Sequence, residues 1–348
     1  MKKTLFKYLF KMQLKMMIFS SLSAFCLILL FDFAEIGRKF PMSNIDETLF
    51  AIKLSFLRTP STFSEILHYA YFATATFSLW NLCKSNQMTV LKSSGQSPQQ
   101  ILYPFVSFAI FAAAAWLFIF HPLGLSCEKM FYDKASARIG DSVETNENIW
   151  INCHKSDEMI FIRAIKKGEI NGLYLFDMTN NERIFAGKVA IKNNGWILKD
   201  VTIIDGNGIR RKDTLKTQSR ASQDLISLLL EPPTKQNIYS LYKIYKIQKE
   251  NLVTLKLYEL SLHKLLSNFV SFILFALIAA IICLPINRYK TKTSVAVKVI
   301  ASAILLRFAN NMLESLAHTG IISAPLACWS LVLVLLLVSV AVLIWKEA

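Results

Sequence analysis

The chain has 348 residues, 53% of them hydrophobic and 18% charged, and a formal net charge of +15. A mean hydropathy of +0.39 is well above what a soluble globular domain needs, so the composition is that of an integral membrane protein. Its basic excess suits membrane topology and anionic lipid, and it argues for no nucleic-acid partner.

The opening "MKKTLFKYLFKMQLK" has the basic character of a signal-peptide n-region. The apolar run behind it is too long and has no clear small-x-small cleavage site, so it reads as a retained first span. Crossing the hydrocarbon core takes about 20 mostly apolar helical residues. Six segments meet that requirement: 16–34, 61–83, 101–120, 265–286, 293–316 and 324–345.

Short loops rich in Lys and Arg stay on the cytoplasmic side. Lys2, Lys3, Lys7, Lys11 and Lys15 precede the first span, Lys84 and Lys92 lie between the second and third, and Arg288, Lys290 and Lys292 between the fourth and fifth. Lys346 closes the chain. Six spans put all four groups on one side, with both termini cytoplasmic. Arg38, Lys39, Lys53 and Arg58 then face outward, against the bias, which suggests that they have a use.

Between the second and third spans, "QMTVLKSS" reads as two helical turns ended by Gly95, with Ser97 and Pro98 opening the next helix. Such a surface helix suits docking on a partner, although a plain connector would also serve. The polar stretch 121–263 begins with β-rich runs, "IWINC", "MIFIRAI", "GLYLFDM", "RIFAGKVAI" and "GWILKDVTII", broken by turn residues. These predict a small sandwich or jelly roll. Past residue 217 the period turns helical, in "ASQDLISLLLEPP" and the segment that follows it. The expected fold is an α-helical membrane protein with six transmembrane helices and a β-jellyroll-like periplasmic domain between the third and fourth. Its divisions fall at 1–120, 121–263 and 264–348.

No catalytic motif occurs. At "AGKV" Glu182 stands where a phosphate-binding loop needs its first glycine, and there is no H-E-x-x-H and no G-x-S-x-G. The five histidines are dispersed, and His121 and His154 read as surface or interfacial residues. Asp32, Glu35 and His68 are the only candidates for a headgroup-modifying site. The six cysteines form no C-x-x-C pair, so a thiolate metal site is not expected. A disulfide between Cys127 and Cys153 and two separate thiols both stay open.

On the fifth span Arg307, Asn310, Asn311, Glu314 and His318 are spaced to form one polar stripe. Charges at such depth face a bundle interior or a water-filled cavity. Arg307 and Glu314 could fix helix packing, or the stripe could line a path for a charged substrate. Lys298, nearer the end of the span, is expected to snorkel to the interface. At the outer end of the first span, "LLFDFAEIGRKF" sets Asp32 and Glu35 before Arg38 and Lys39. This is either an ordinary interfacial cluster or a grip on anionic headgroups by the two basic residues.

The order of spans and β-rich domain, with "LFDFAEIGRK", "SNQMTVLKSSGQSP", "GWILKDV" and "RFANNMLESLAHTGIISAPLACW", resembles the lipopolysaccharide-export permease family LptF/LptG, also called YjgP/YjgQ, over nearly the whole chain. The Phe31-Asp32-Phe33 run makes it look most like the LptG subunit. The resemblance implies a non-catalytic ABC-transporter permease of the bacterial inner membrane, without cofactor or metal. It would extract lipopolysaccharide from the outer leaflet and pass it on. Implied partners are an LptF-type permease, a cytoplasmic LptB-type ATPase dimer and a periplasmic bridge of the LptC/LptA type.

It further implies a coupling helix near 86–98, with Gln87, Met88, Val90, Leu91, Lys92 and Gly95 at the ATPase contact. Gln87 stands where the family usually has an acidic residue. Arg38 and Lys39 would contact lipid A phosphates. Arg307, Asn311 and Glu314 would line the lipid cavity, with Phe31, Phe33, Ile304 and Leu306 as apolar wall. The alternative is a non-transporting sensor or scaffold whose β domain binds an envelope ligand.

Overall fold

The apolar run expected at 16–34 is the middle of a longer helix, α1 (Lys3–Lys39). No proline or glycine interrupts it before Gly37, and Pro41 follows shortly after its end. The computed structural model of the chain describes residues 3–39, 44–139, 147–153, 158–166, 169–177, 182–192, 195–205, 208–217, 233–251, 253–254, 256–283 and 292–347. The chain divides into two compact units, Met1–Ala135 with His263–Ala348, and Ser136–Leu262.

The second expected span also lies within a longer helix, α2 (Ile45–Lys84), which continues through Pro60. Proline there removes one backbone donor and the bond it would make to the carbonyl of Phe56. Ser55, Thr59, Thr74 and Thr76 on α2 are buried. Their hydroxyls lie 2.8–2.9 Å from the carbonyl four residues back. Polar groups satisfied within their own helix can be buried without a partner helix to complete them.

After the short α3 (Gln87–Ser93) comes α4 (Pro98–Ala115), then a π-helical turn at Trp116–Phe120 and α5 (His121–Ile139). The third helix therefore does not stop at residue 120, where the polar stretch was expected to begin. The Trp116 indole donates to the Ser64 carbonyl at 2.8 Å, which fastens the π-turn to α2. Just beyond, Gly124 lies so close to Pro60 and Ser61 that an added Cβ would sit 3.1 Å from their backbone, and the Ser61 hydroxyl donates to Glu128.

The first unit is completed by α7 (Lys256–Cys283), α8 (Lys292–His318) and α9 (Ala324–Glu347). Rings join α7 to α2: Phe275 stacks on Phe72 at 5.0 Å and on His68 at 5.9 Å, and Phe272 meets Tyr71 at 5.6 Å. Among the described residues five helical stretches are long and apolar enough to cross a membrane: Lys3–Arg38, Gln99–Ala135, Leu257–Cys283, Thr293–His318 and Ala324–Trp345. The segment missing from the expected six is α2, whose small polar residues lower its hydropathy.

In the second unit six strands follow one another: β1 (Glu147–Cys153), β2 (Glu158–Lys166), β3 (Glu169–Asp177), β4 (Glu182–Lys192), β5 (Gly195–Asp205) and β6 (Gly208–Thr217). Next come α6 (Ile238–Asn251) and the two-residue β7 (Val253–Thr254). All pairs are antiparallel, in the order β6-β5-β4-β3-β2-β1-β7. The described strands thus make one meander rather than the two packed sheets of a jelly roll. β6 was missed in the sequence because it is an exposed edge rich in charge, "GIRRKDTLKT". The helical segment expected from residue 221 lies outside the described residues.

A crease crosses this sheet. The pairing from β2 to β6 skips one row, where Arg163, Gly172, Gly187, Asp200 and Asp213 stand side by side. Gly172 has φ +76° and Asp200 φ +54°, both in the left-handed region. Residues three apart on a regular strand lie on opposite faces, yet Ala186 and Val189 are both buried, as are Leu198 and Val201. Each of these strands switches its buried face at the crease, which lets one sheet enclose apolar side chains on both sides of the row.

Gly172 is the position least tolerant of change, because a Cβ there would also sit 3.1 Å from the Arg163 Cβ. Gly172→Ala should destabilise the sheet by about 1–2 kcal/mol. Hydrogen exchange of β3 and β4 amides should then be about tenfold faster, with α4 and α7 amides unchanged.

Candidate functional site

Three groups of residues, all in the helical unit, contain the charged and coupling residues that the sequence singles out. The first joins α1 to α2. Asp32 is only 5% exposed. Its carboxylate takes the Thr59 hydroxyl at 3.0 Å and lies 3.6 Å from Arg58 Nε, while Arg58 also reaches the Glu35 carboxylate at 3.0 Å. The acidic pair just before Arg38 is thus held by an arginine from the other helix. Arg38 itself is exposed, and among the described residues no ion pair holds it. The side chain of Lys39 lies outside the described residues.

The aromatic residues flanking Asp32 separate. Phe31 is 76% exposed, whereas Phe33 packs against Ile36, Ala51, Leu54 and Ala135. Phe33 is therefore a packing residue between α1, α2 and α5, not an open wall. Positions two apart on a helix point about 200° away from each other, so both could not face the same surface.

The second group is the stripe on α8. Glu314 is engaged by Lys264 of α7 at 2.8 Å. The Tyr69 hydroxyl of α2 lies beside Arg307 and Asn310. Arg307 and Asn311 are nevertheless exposed. The stripe is thus held by Lys264 at Glu314 and met by Tyr69 at Arg307 and Asn310, while the Arg307 and Asn311 side chains stay open to the outside. Ile304 is exposed beside it, while Leu306 is buried.

The third group is α3. Asn86 precedes it with φ +59° and Gly95 ends it at φ +79°. Ser97 then opens α4 with a capping box to Gln100 and Pro98 in the first turn. The two turns thus close on both sides by local chemistry. Met88 is buried at 7% exposure and Val90 stands 64% exposed. Met88 was expected at a partner contact; in the structure it is the anchor that seats α3, and Val90 and Lys92 point outward. Leu91 is half-buried, and Gln87 meets the Tyr8 hydroxyl at 3.5 Å. Beside them a cavity of about 260 Å³ is lined by Leu5, Tyr8, Leu9, Leu82, Val90 and Leu91.

Arg58, Lys264, Tyr69 and Tyr8 complete these groups. Of the four, only Arg58 gave a signal in the sequence, as a basic residue on the side where basic residues are disfavoured. Among the described residues no cluster of His, Cys, Asp or Glu could hold a metal ion. Cys127 is a free thiol, and the side chain of Cys153 lies outside the described residues. His154 lies there too.

Several long apolar helices and an antiparallel sheet define a multi-pass membrane protein. The sequence profile of the lipopolysaccharide export system permease LptF/LptG matches residues 7–345, and the chain belongs to that family. Its members are non-catalytic permease components of lipopolysaccharide export in the inner membrane. No curated protein matches the chain.

The Asp32 carboxylate is nearly out of solvent, so removing its cation should be costly. Arg58→Ala should lower stability by about 3 kcal/mol, the lower end for a broken buried pair. Arg38→Ala should leave the thermal midpoint in detergent unchanged.

Proposed function

We propose that this chain is a G-type permease subunit of an ABC transporter that lifts lipopolysaccharide out of the inner membrane's outer leaflet. The observation that carries this reading is the family match across residues 7–345. In it α2 is the sixth span, both termini and α3 are cytoplasmic, and the sheet unit is periplasmic. An LptF-type subunit pairs with it, an LptB-type ATPase dimer drives it, and an LptC/LptA-type bridge receives the lipid.

The exposed face of α3 supports the coupling assignment. Val90 and Lys92 would meet the ATPase, with Gln87 held back by Tyr8. Because α3 follows α2 within two residues, displacement of α3 would be passed along α2 as a rigid rod to the end that carries Arg58. There Arg38 and Lys39 would contact lipid A phosphates, a guanidinium being suited to bidentate binding. Arg307 and Asn311 would line the lipid path, with Phe31 and Ile304 as its apolar wall.

The test is co-expression with an LptF-type partner and an LptB-type ATPase, followed by native mass spectrometry of the complex. A bound phosphorylated glycolipid, lost on joint Arg38→Glu and Lys39→Glu exchange, is the expected result. A complex that assembles without glycolipid would remove the transport assignment. Val90→Asp should weaken ATPase retention at least tenfold with no change in thermal midpoint. Arg307→Ala should reduce export with assembly intact; failed assembly would assign Arg307 to packing instead.

A further inference from the structure

A second groove lies at the same end of the helical unit as α3, between the first turns of α1 and those of α4. It measures about 660 Å³ and is lined by Lys3, Phe6, Lys7, Gln99, Gln100 and Tyr103. Lys3 and Lys7 are one helical turn apart on α1 and so share a face. Both are exposed. The Phe6 and Tyr103 rings meet at 5.9 Å across the groove, and Tyr103 is 63% exposed. Two cations, two amides and an aromatic floor, set where two apolar helices begin, match an amphiphile with an anionic head. A volume of this size falls in the range of small-molecule sites.

We infer that this groove binds the phosphodiester headgroup of an anionic phospholipid from the leaflet at the α3 end of the bundle. Lys3 and Lys7 pair with the phosphate, and the Gln100 side chain, whose Oε1 accepts from the Ser97 N–H, keeps its NH2 group to donate. Phe6 and Tyr103 lie along the first methylenes of the acyl chains. Commitment to a lipid, rather than a soluble phosphate ester, rests on the apolar rings and on continuity with exposed Ile110 and Phe111 further along α4. The site adjoins the cavity beside α3, because Leu5, Tyr8 and Leu9 on the same turns of α1 line that cavity. Its occupancy therefore steadies the segment against which α3 rests. The inference stands whether or not the chain carries a glycolipid.

The test reconstitutes the full chain in nanodiscs of zwitterionic lipid containing a small fraction of phosphatidylglycerol, and reads retained lipid by native mass spectrometry. The paired variant Lys3→Gln with Lys7→Gln should weaken phosphatidylglycerol retention by about twenty-fivefold, at about fivefold per lysine. Lys11→Gln with Lys15→Gln changes the net charge equally on the same helix and should leave retention within about twofold. Equal loss in both pairs would overturn the site and reduce the effect to general charge attraction. Displacement of the lipid by soluble glycerol phosphate would overturn the lipid assignment. If the first pair fails to insert, acetylation of the wild-type chain decides. Phosphatidylglycerol should protect Lys3 and Lys7 over Lys11 and Lys15, and uniform protection would contradict the site.

Discussion

The helical unit depends on α2, a helix rich in small polar residues whose buried hydroxyls are in large part satisfied by its own backbone. On α2 the hydroxyls of Ser55, Thr74 and Thr76 return to their own helix, while that of Thr59 lies between its own helix and the Asp32 carboxylate of α1. Small side chains of this kind allow neighbouring backbones to approach closely, and in lipid such packing replaces the hydrophobic driving force between helices. Around that face are α1, the π-turn carrying Trp116, and the ring ladder of α7. A helix that looks weakly apolar in sequence is thereby the one the others are built on.

The same economy governs charge. Asp32 and Glu35 are answered by Arg58, and Glu314 by Lys264. A buried carboxylate with its cation in place is tolerable, and one without it is not. Two consequences meet at the proposed lipid path. Arg38 is left exposed, and the α8 stripe is held by Lys264 and Tyr69 while Arg307 and Asn311 remain exposed.

Much of this was legible in the sequence. The spans on α8 and α9, the first five strands, and the local signals that open and close α3 followed from hydropathy, period-2 runs and capping residues. What was missed has common physical causes. The sequence places the start of the second apolar segment at residue 61, because Asp46, Glu47, Lys53 and Arg58 lower the hydropathy of the first turns of α2. Met88 reads as a contact residue because its spacing fixes a face but not what covers it. Phe33 and Phe31 read alike because neighbouring apolar residues carry no mark of which points inward. The partners of the α8 stripe come from α2 and α7, far away in the chain, and no local pattern encodes such pairings. The crease in the sheet was hidden because a left-handed Asp200 leaves little trace in composition.

The central claim is that α2 is one continuous rod from the end near Asp46 to the end that carries α3. It is tested most directly by an electron-spin distance between labels at Asp46→Cys and Asn81→Cys, with the native cysteines replaced by alanine, in lipid nanodiscs. A single narrow distribution at about 53 Å, the length of an unbroken helix at about 1.5 Å per residue, is the result the account predicts. A broad distribution, or a second population shorter by about 10 Å or more, would mean that the chain breaks at Pro60 and would contradict it.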